Sequence, residues 1–381
     1  MKVTRVNGVA AVSAATWDSL AGEDDPFAEH AFLSTLENSG SVGGDSGWDA
    51  EHVLVHDGGQ LVGALPLYRK QHSYGEYIFD FAWANASSRI GAPYYPKLVG
   101  MTPLTPATGT RLLVHPEADR PAVVRALLDG AVAAAEALRA SSIHLNFLSA
   151  REAEDVAAHG GFLPRTTHQF HFHNDGYRDF EDFVARFRSS MRKKLRKERR
   201  AVTDSGLDVG VCTGDALSAE DWSLLRTFYL DTCWRKGSEP YLSERFFTLL
   251  AERCAHRVVV GYARRNGSLV AASLNFEKGK HLYGRYWGCD ESHEMLHFEL
   301  CYYQLIDRAI TRGLTRFEAG AQGTHKVRRG LMPSAIHSAH FIRNPVLRDA
   351  VADYLPRERA GVLHEMEALA EHGPFRRGDE E

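Results

Sequence analysis

The densest run of reactive side chains is Arg316-Phe317-Glu318-Ala319-Gly320-Ala321-Gln322-Gly323-Thr324-His325-Lys326. A carboxylate, an imidazole and an ammonium flank a Gly-Ala-Gln-Gly turn. Glycines let backbone N–H groups approach a ligand, so Glu318 or His325 is a candidate base and Lys326 a candidate partner for developing negative charge. A tight turn with exposed charges would carry the same residues. A second run, Leu282-Tyr283-Gly284-Arg285-Tyr286-Trp287-Gly288, puts Tyr283, Arg285 and Trp287 on one side by strand alternation. A core strand does not bury an arginine unpaired. Glu299, in the run His297 to Tyr303, is the expected partner of Arg285, as a structural ion pair or beside a substrate. Tyr303 and Gln322 complete the candidate substrate-binding set of this region.

Two other patterns invite a metal. His293-Glu294-Met295-Leu296-His297 has the H-E-x-x-H form of zinc hydrolases. That chemistry needs both histidines on one turn of a continuous helix and a third ligand beyond it. Gly288-Cys289-Asp290-Glu291-Ser292 comes immediately before, which places His293 in a loop or first turn, and a zinc hydrolase is kept only as a rival. His168, His171 and His173 cluster on one expected strand, as a satisfied interior group or a metal site. No Walker loop and no G-x-G-x-x-G occurs. At the two hairpins, Arg264 to Leu269 and Gln60 to Leu65, the CoA pyrophosphate form Q/R-x-x-G-x-G/A fails at its last position, since both end in leucine.

The net charge of −4 conceals a local excess. Between Arg186 and Arg200 stand nine basic residues and one acid, Glu198, so this segment carries +8 and the rest of the chain −12. Phe180, Phe183, Val184, Phe187, Met191 and Leu195 recur at three- and four-residue steps, which predicts a helix docked by an apolar face. Arg192, Lys193, Lys194, Arg196, Lys197, Arg199 and Arg200 are then candidates for phosphates of tRNA or another polyanion, against the plainer alternative of a solvated basic helix.

These groups need a framework. A chain of 381 residues is long enough for two or three domains. Its hydrophobic (44%) and charged (25%) shares are those of a soluble globular protein, so global disorder is not expected. No uncharged apolar window reaches membrane-spanning length, and the first residues carry no secretory signal. Five cysteines without a C-x-x-C fit reduced thiols, so the expected compartment is the cytoplasm. Strand–turn–strand signals at 52–65 and 257–276 lead two similar successions of elements. The first adds an aromatic strand at Tyr77–Trp83, helices at 118–140 and 152–158, and strands at 142–147 and 169–173. The second adds helices at 219–233, 243–255 and 296–312, with strands at 281–287 and 315–319. The reading is an α/β (α+β) chain with mixed sheets flanked by helices. Its expected parts are an N-terminal domain 1–175, a basic connector 176–205, a C-terminal domain 206–360 that carries the chemistry, and a tail 361–381 that frays from Gly373.

Several longer runs then resemble one family. They are Gln169-Phe170-His171, Gly176-Tyr177, Arg192 to Arg200, Leu282 to Gly288, Leu296 to Tyr303 and Glu318 to Gly323, with Tyr94-Tyr95-Pro96-Lys97-Leu98 and Thr105 to Gly109 in the first half. Together, over roughly Trp48 to Glu358, they resemble the FemAB-like family of peptidoglycan biosynthesis and recognition. The resemblance implies two tandem GNAT-like domains and an N-acyltransferase related to the Fem aminoacyltransferases. It adds Tyr95 and Lys97 to the candidate substrate-binding residues. Thr324 stands where an acid is expected in the family, which leaves Glu318 or His325 for the base. The donor would be aminoacyl-tRNA or acyl-CoA, as a co-substrate rather than a bound cofactor, and no metal is called for. The acceptor would be an amine on a peptidoglycan precursor or a natural product. A non-catalytic protein that binds cell wall or nucleic acid is the alternative.

Overall fold

A computed structural model describes residues 1–320 and 323–376 of the chain. Ala321 and Gln322 lie outside the described residues, so the expectation for Gln322 has no structural counterpart. Contacts divide the chain into two compact units, Met1–Thr167 with Ala335–Leu363, and His168–Ser334 with His364–Glu381. The boundaries cut through the strands Leu163–His173 and Met332–Ile342 and the helix Pro345–Glu371. The basic segment belongs to the second unit, and residues 335–360 to the first.

The first unit has an antiparallel sheet ordered Lys2–Val6, His52–Asp57, Gln60–Leu65 and Leu113–Val114. Gly58 (φ 55°) and Gly59 (φ 88°) turn the hairpin, as the Asp-Gly-Gly sequence requires. The helix Arg120–Ala137 is capped by Asp119 and buries Val123, Leu127 and Ala131 against Val53, Val55 and Leu145. A capping box of Ser149 and Glu152 starts Ala150–His159. Further strands of this unit run in the order Met332–Ile342, Ser142–Leu148, Lys97–Gly100, Tyr68–Lys70 and Trp48–Ala50. The expected strand over Tyr77–Trp83 is instead a loop followed by the helix Phe81–Arg89. The aromatic run reads as β on propensity, but Glu76 and Asp80 turn inward to meet buried Lys97, and Phe79 and Phe81 are left exposed.

The second unit runs antiparallel through Asp208–Thr213, Val258–Arg265, Ser268–Lys278 and His281–Cys289. His281–Cys289 then pairs in parallel with Arg316–Glu318, which pairs antiparallel with His171–His173. Asn266 and Gly267 make the expected turn with positive φ. The helices Ala219–Arg235 and Glu244–Cys254 precede these strands, and Leu296–Phe298, a π turn Glu299–Tyr303 and Gln304–Thr311 follow His281–Cys289. This is the mixed α/β framework, sheets flanked by helices, that the element order called for.

The basic segment forms two helices, Phe180–Ala185 and Ser189–Thr203, with an extended step at Arg188. Its apolar stripe is as read: Phe180, Phe183, Val184, Phe187 and Leu195 are buried and Met191 packs at their edge. Phe187 bridges to Phe375, and the Arg188 N–H donates to the Pro374 carbonyl at 2.8 Å. Gly373 to Arg376 are therefore docked rather than frayed, because Phe375 fills an aromatic socket of Phe183 and Phe187.

Candidate active site

Three residue pairs, His281↔Arg316, Leu282↔Phe317 and Tyr283↔Glu318, join the parallel strands of the second unit. His281–Cys289 runs on for six residues after Tyr283, while its partner ends at Glu318. The two strands therefore part, and the edge from Gly284 to Cys289 is not paired to Arg316–Glu318. A bulge sits in the same stretch. Leu274 faces Tyr286 and Asn275 faces Gly284, so Arg285 is the extra residue. The bulge resets the alternation, and this corrects the expectation that Tyr283, Arg285 and Trp287 share a side. Tyr286 packs on Tyr229 (ring centroids 5.0 Å) with Arg285 stacked over it at 5.0 Å. Trp287 turns to the opposite face, toward Leu296, Leu300 and Val202.

On that face the π turn and the 3-10 turn Thr324–Arg329 bring their side chains together. The His297 ring lies 5.2 Å from Trp287 and 5.5 Å from Tyr302. The Tyr302 hydroxyl is 3.1 Å from His325 Nε2, and Phe298 packs on the His325 ring at 5.5 Å. Lys326 is buried and donates to the carbonyls of Ala319 (2.6 Å) and Gly320 (3.0 Å), so it ties down the chain where the shorter strand ends. Among the described residues these are its two acceptors, which leaves the third ammonium N–H for a ligand oxygen.

A π turn is an energetically poor substitute for a regular helix and is common where side chains must be re-aimed. Here the packing forces it. The carbonyl of Leu300 accepts from buried Ser273 at 2.8 Å, and a Cβ on Gly261 would come within 2.8 Å of that same oxygen. Only glycine at 261 lets the sheet approach the turn this closely.

Protonation states follow from burial. Burial lowers His297 to about 4, with His325 and Lys326 adding to the effect. His325 is lowered by burial and then by Arg329 and Lys326, but is more open to solvent. Both rings are neutral at pH 7. Lys326 falls to about 8 through burial, leaving its charge in place at neutral pH but removable. Burial pushes the Tyr302 hydroxyl far above its usual range, so it stays protonated. If His325 Nε2 donates to the Tyr302 oxygen, the lone pair of Nδ1 is left to take a proton.

Glu318 does not join this group. It is buried on the other face, 3.0 Å from Arg316 and 3.8 Å from His171 Nε2. Tyr283 is buried on the same face, its hydroxyl 3.3 Å from His281 Nδ1. Of the histidines on this strand only His171 is buried; His173 is exposed, its Nε2 3.0 Å from the Ser334 hydroxyl. Of the three expected catalytic residues, the structure brings together His325 and Lys326.

Glu299 is not the partner of Arg285. It accepts from Arg199 Nε and Nη2 (3.2 and 2.9 Å) and from Gln304 (2.8 Å). Arg199 is thereby removed from the outward cations. Arg192 reaches the Ala185 carbonyl and Arg196 pairs with Glu181, whereas Lys193, Lys194, Lys197 and Arg200 project into solvent as a ridge. Tyr303 hydrogen-bonds Glu198 and accepts from Arg329 at 3.0 Å. In the first unit Lys97 is fully buried, donating to Ser73 and Glu76 at 2.8 Å and to Asp80, while the Tyr95 hydroxyl meets Ser73 at 2.8 Å. That is a buried network rather than a surface ready for substrate. The H-E-x-x-H pattern is broken by Met295 at φ 63°, with His293 held by Glu291 (3.0 Å) and His297 inside the helix that starts at Leu296.

Sequence reasoning missed Tyr302, Arg329 and the inward role of Glu198. The last was signalled: Glu198 falls at the spacing Met191, Leu195, Glu198, Val202 of the apolar stripe, where a lone acid demands a buried cation. A Cβ on Gly323 (φ +100°) would lie 2.3 Å from His325 Cε1. Gly323→Ala is therefore expected to displace the imidazole and cut turnover about tenfold or more, and to lower the thermal midpoint because alanine is strained at this φ, as steady-state rates beside calorimetry would show.

A profile for peptidoglycan biosynthesis/recognition matches residues 8–377. The chain belongs to the FemAB-like family. Among solved structures, this FemAB-like chain is similar to FemX, with 12% identity over 92% of this chain and 100% of that one, at a TM-score of 0.56. It is also similar to the C-terminal domain of a putative lysylphosphatidylglycerol synthetase from Agrobacterium fabrum (10% identity, 90% and 95% covered, TM-score 0.55). A third is L-PGS from Bacillus licheniformis (11% identity, 88% and 98% covered, TM-score 0.51). No curated protein sequence matches. Family membership and the fold shared with FemX support an acyltransferase connected with peptidoglycan.

Proposed function

We propose that the chain transfers an aminoacyl group from aminoacyl-tRNA to an amine on a peptidoglycan-precursor-like acceptor. The observation that carries this reading is the neutral His325, held by Tyr302 beside Lys326 where the parallel strands part. In the reaction the acceptor amine attacks the ester carbonyl of the donor and a C–N bond forms. His325 takes the amine proton and returns it to the departing ribose oxygen as the C–O bond breaks. The remaining Lys326 N–H meets the oxyanion of the tetrahedral intermediate. His297, at about 4, is too weak a base to compete and serves as packing for Trp287 and Tyr302.

Two features favour tRNA over acyl-CoA. The exposed ridge of Lys193, Lys194, Lys197 and Arg200 suits a row of phosphates. The segment from His281–Cys289 to the next helix bears Asp290, Glu291 and Glu294, with no glycine between Gly288 and Gly313. A pyrophosphate needs the reverse, bare N–H groups without acids. Such a donor places the reaction in the cytoplasm, in keeping with five free cysteines. Among the described residues no helix is long and apolar enough to cross a membrane.

Equilibrium binding of aminoacyl-tRNA across a salt series tests the ridge. Four phosphate contacts on single-stranded or loop RNA give a slope of log K against log salt of about −3. Replacing the four cations by glutamine is expected to flatten that slope and weaken binding. A slope near zero in the unaltered protein, with saturable acetyl-CoA binding, would transfer the reading to an acyl-CoA enzyme.

The pH dependence has a defined sign. Lys326 loses its proton as pH rises through about 8, so kcat at saturating substrates is expected to fall there. His325 gains a proton below its ordinary 6.5, giving an acid limb on that side. In Lys326→Ala the limb near 8 should vanish along with most of the rate. An unchanged rate would remove Lys326 from the reaction.

A further inference from the structure

Adjacent residues of the basic helix reach two different turns. Glu198 accepts both hydrogen bonds of Arg329 Nη2 (3.0 and 2.9 Å). Arg329 in turn donates from Nη1 to the His325 carbonyl (2.9 Å) and from Nε to the Tyr303 hydroxyl (3.0 Å), and its guanidinium lies 3.4 Å over the Phe298 ring. Arg199, the next residue, grips Glu299, the first residue of the π turn, while stacking 4.5 Å over Phe180. One clamp therefore holds the 3-10 turn that bears His325 and Lys326, and the other holds the π turn that bears Tyr302. Two hydrogen bonds close the turns on each other, Tyr302 with His325 and Arg329 with Tyr303.

We propose that Glu198 and Arg199 are positioning residues, which set the distance between Tyr302 and His325 from the inward edge of the basic helix. This rests on the role given to His325 above. Docking the helix does not by itself call for these groups. Phe180, Phe183, Phe187 and Leu195 already seat it, and a well-packed apolar pair commonly replaces a buried ion pair without loss of stability. What apolar packing lacks is direction. Glu198 and Arg329 are nearly fully buried, and their bonds fix angles as well as contact. A change in any of them moves a turn rather than a side chain. A shift of about 1 Å in such a site costs up to 10²-fold in rate.

The test reads His325 directly. The imidazole is followed by NMR titration in Glu198→Gln, Arg199→Gln and the milder Tyr303→Phe, with Arg178→Gln as an exposed control and His325→Gln for assignment. The expected result is a His325 midpoint that moves toward 6.5 in the three inner variants and stays in place in the control. Their kcat should fall tenfold to a hundredfold, with KM for the donor little changed and partial recovery in Arg199→Lys. An unmoved His325 midpoint and unchanged kcat in Tyr303→Phe and in whichever inner variant folds would overturn the proposal. The NMR readout needs no acyl transfer. A moved midpoint beside a fully active His325→Gln would keep the clamp and reject His325 as base.

Discussion

His325→Gln is expected to slow transfer about 10²–10⁴-fold, the range supplied by a positioned proton carrier. The side chain is exposed and, among the described residues, its side-chain hydrogen bond is to Tyr302, so stability should fall by no more than about 1.5 kcal/mol. Tyr302→Phe leaves the imidazole in place without its tether, and a single neutral hydrogen bond is worth about 0.5–1.5 kcal/mol, or up to about tenfold in rate. The two losses should not multiply, since they act on one proton path. Single-turnover rates of the two single variants and the double variant decide it. A double variant whose loss equals the product of the single losses would separate Tyr302 from His325.

The second large effect is one of stability. Lys97→Met is expected to destabilise the first unit by about 3–5 kcal/mol, because it strands two buried carboxylates. Lys97 has no exposed surface and meets Ser73, Glu76 and Asp80. Burial raises Glu76 to about 7 even with Lys97 beside it. For Asp80, burial is outweighed by Lys97 and then His144, which hold the carboxyl well below its usual range. A carboxyl depressed on folding contributes stability above its unfolded value near 3.8, which is lost as pH falls below it. Lys97→Met removes the chief counter-charge and should shrink that contribution. Urea unfolding of the two proteins at neutral and acid pH measures it. A loss below about 1 kcal/mol would mean that the network is not held by Lys97.

Much of the framework was legible because local signals were strong. Asp57-Gly58-Gly59 and Asn266-Gly267 each fix a hairpin, and the helix expected at 152–158 forms as Ala150–His159. The aromatic stripe of the basic segment predicted which side is buried. Misreadings arose where the deciding contact is remote in sequence. Aromatic Tyr77–Trp83 was drawn out of a strand by Lys97, about twenty residues on. The face of Trp287 turns on a bulge at Arg285 that alternation alone cannot reveal. At the candidate site His325 and Lys326 were visible as chemistry in one turn. Tyr302 was hidden because a π turn shifts the spacing by which helix neighbours are read. Glu299 and Arg199 are a hundred residues apart, so only the folded chain identifies them as partners.

The central claim is aminoacyl transfer from tRNA through His325. The most direct test is single-turnover transfer of a labelled aminoacyl group from mixed aminoacyl-tRNA to a lysine-bearing peptidoglycan-precursor peptide, with acetyl-CoA as the competing donor. The expected result is labelled peptide from aminoacyl-tRNA alone, lost in His325→Gln and weakened by salt. Label arriving only from acetyl-CoA, or at an equal rate with His325→Gln, would contradict it.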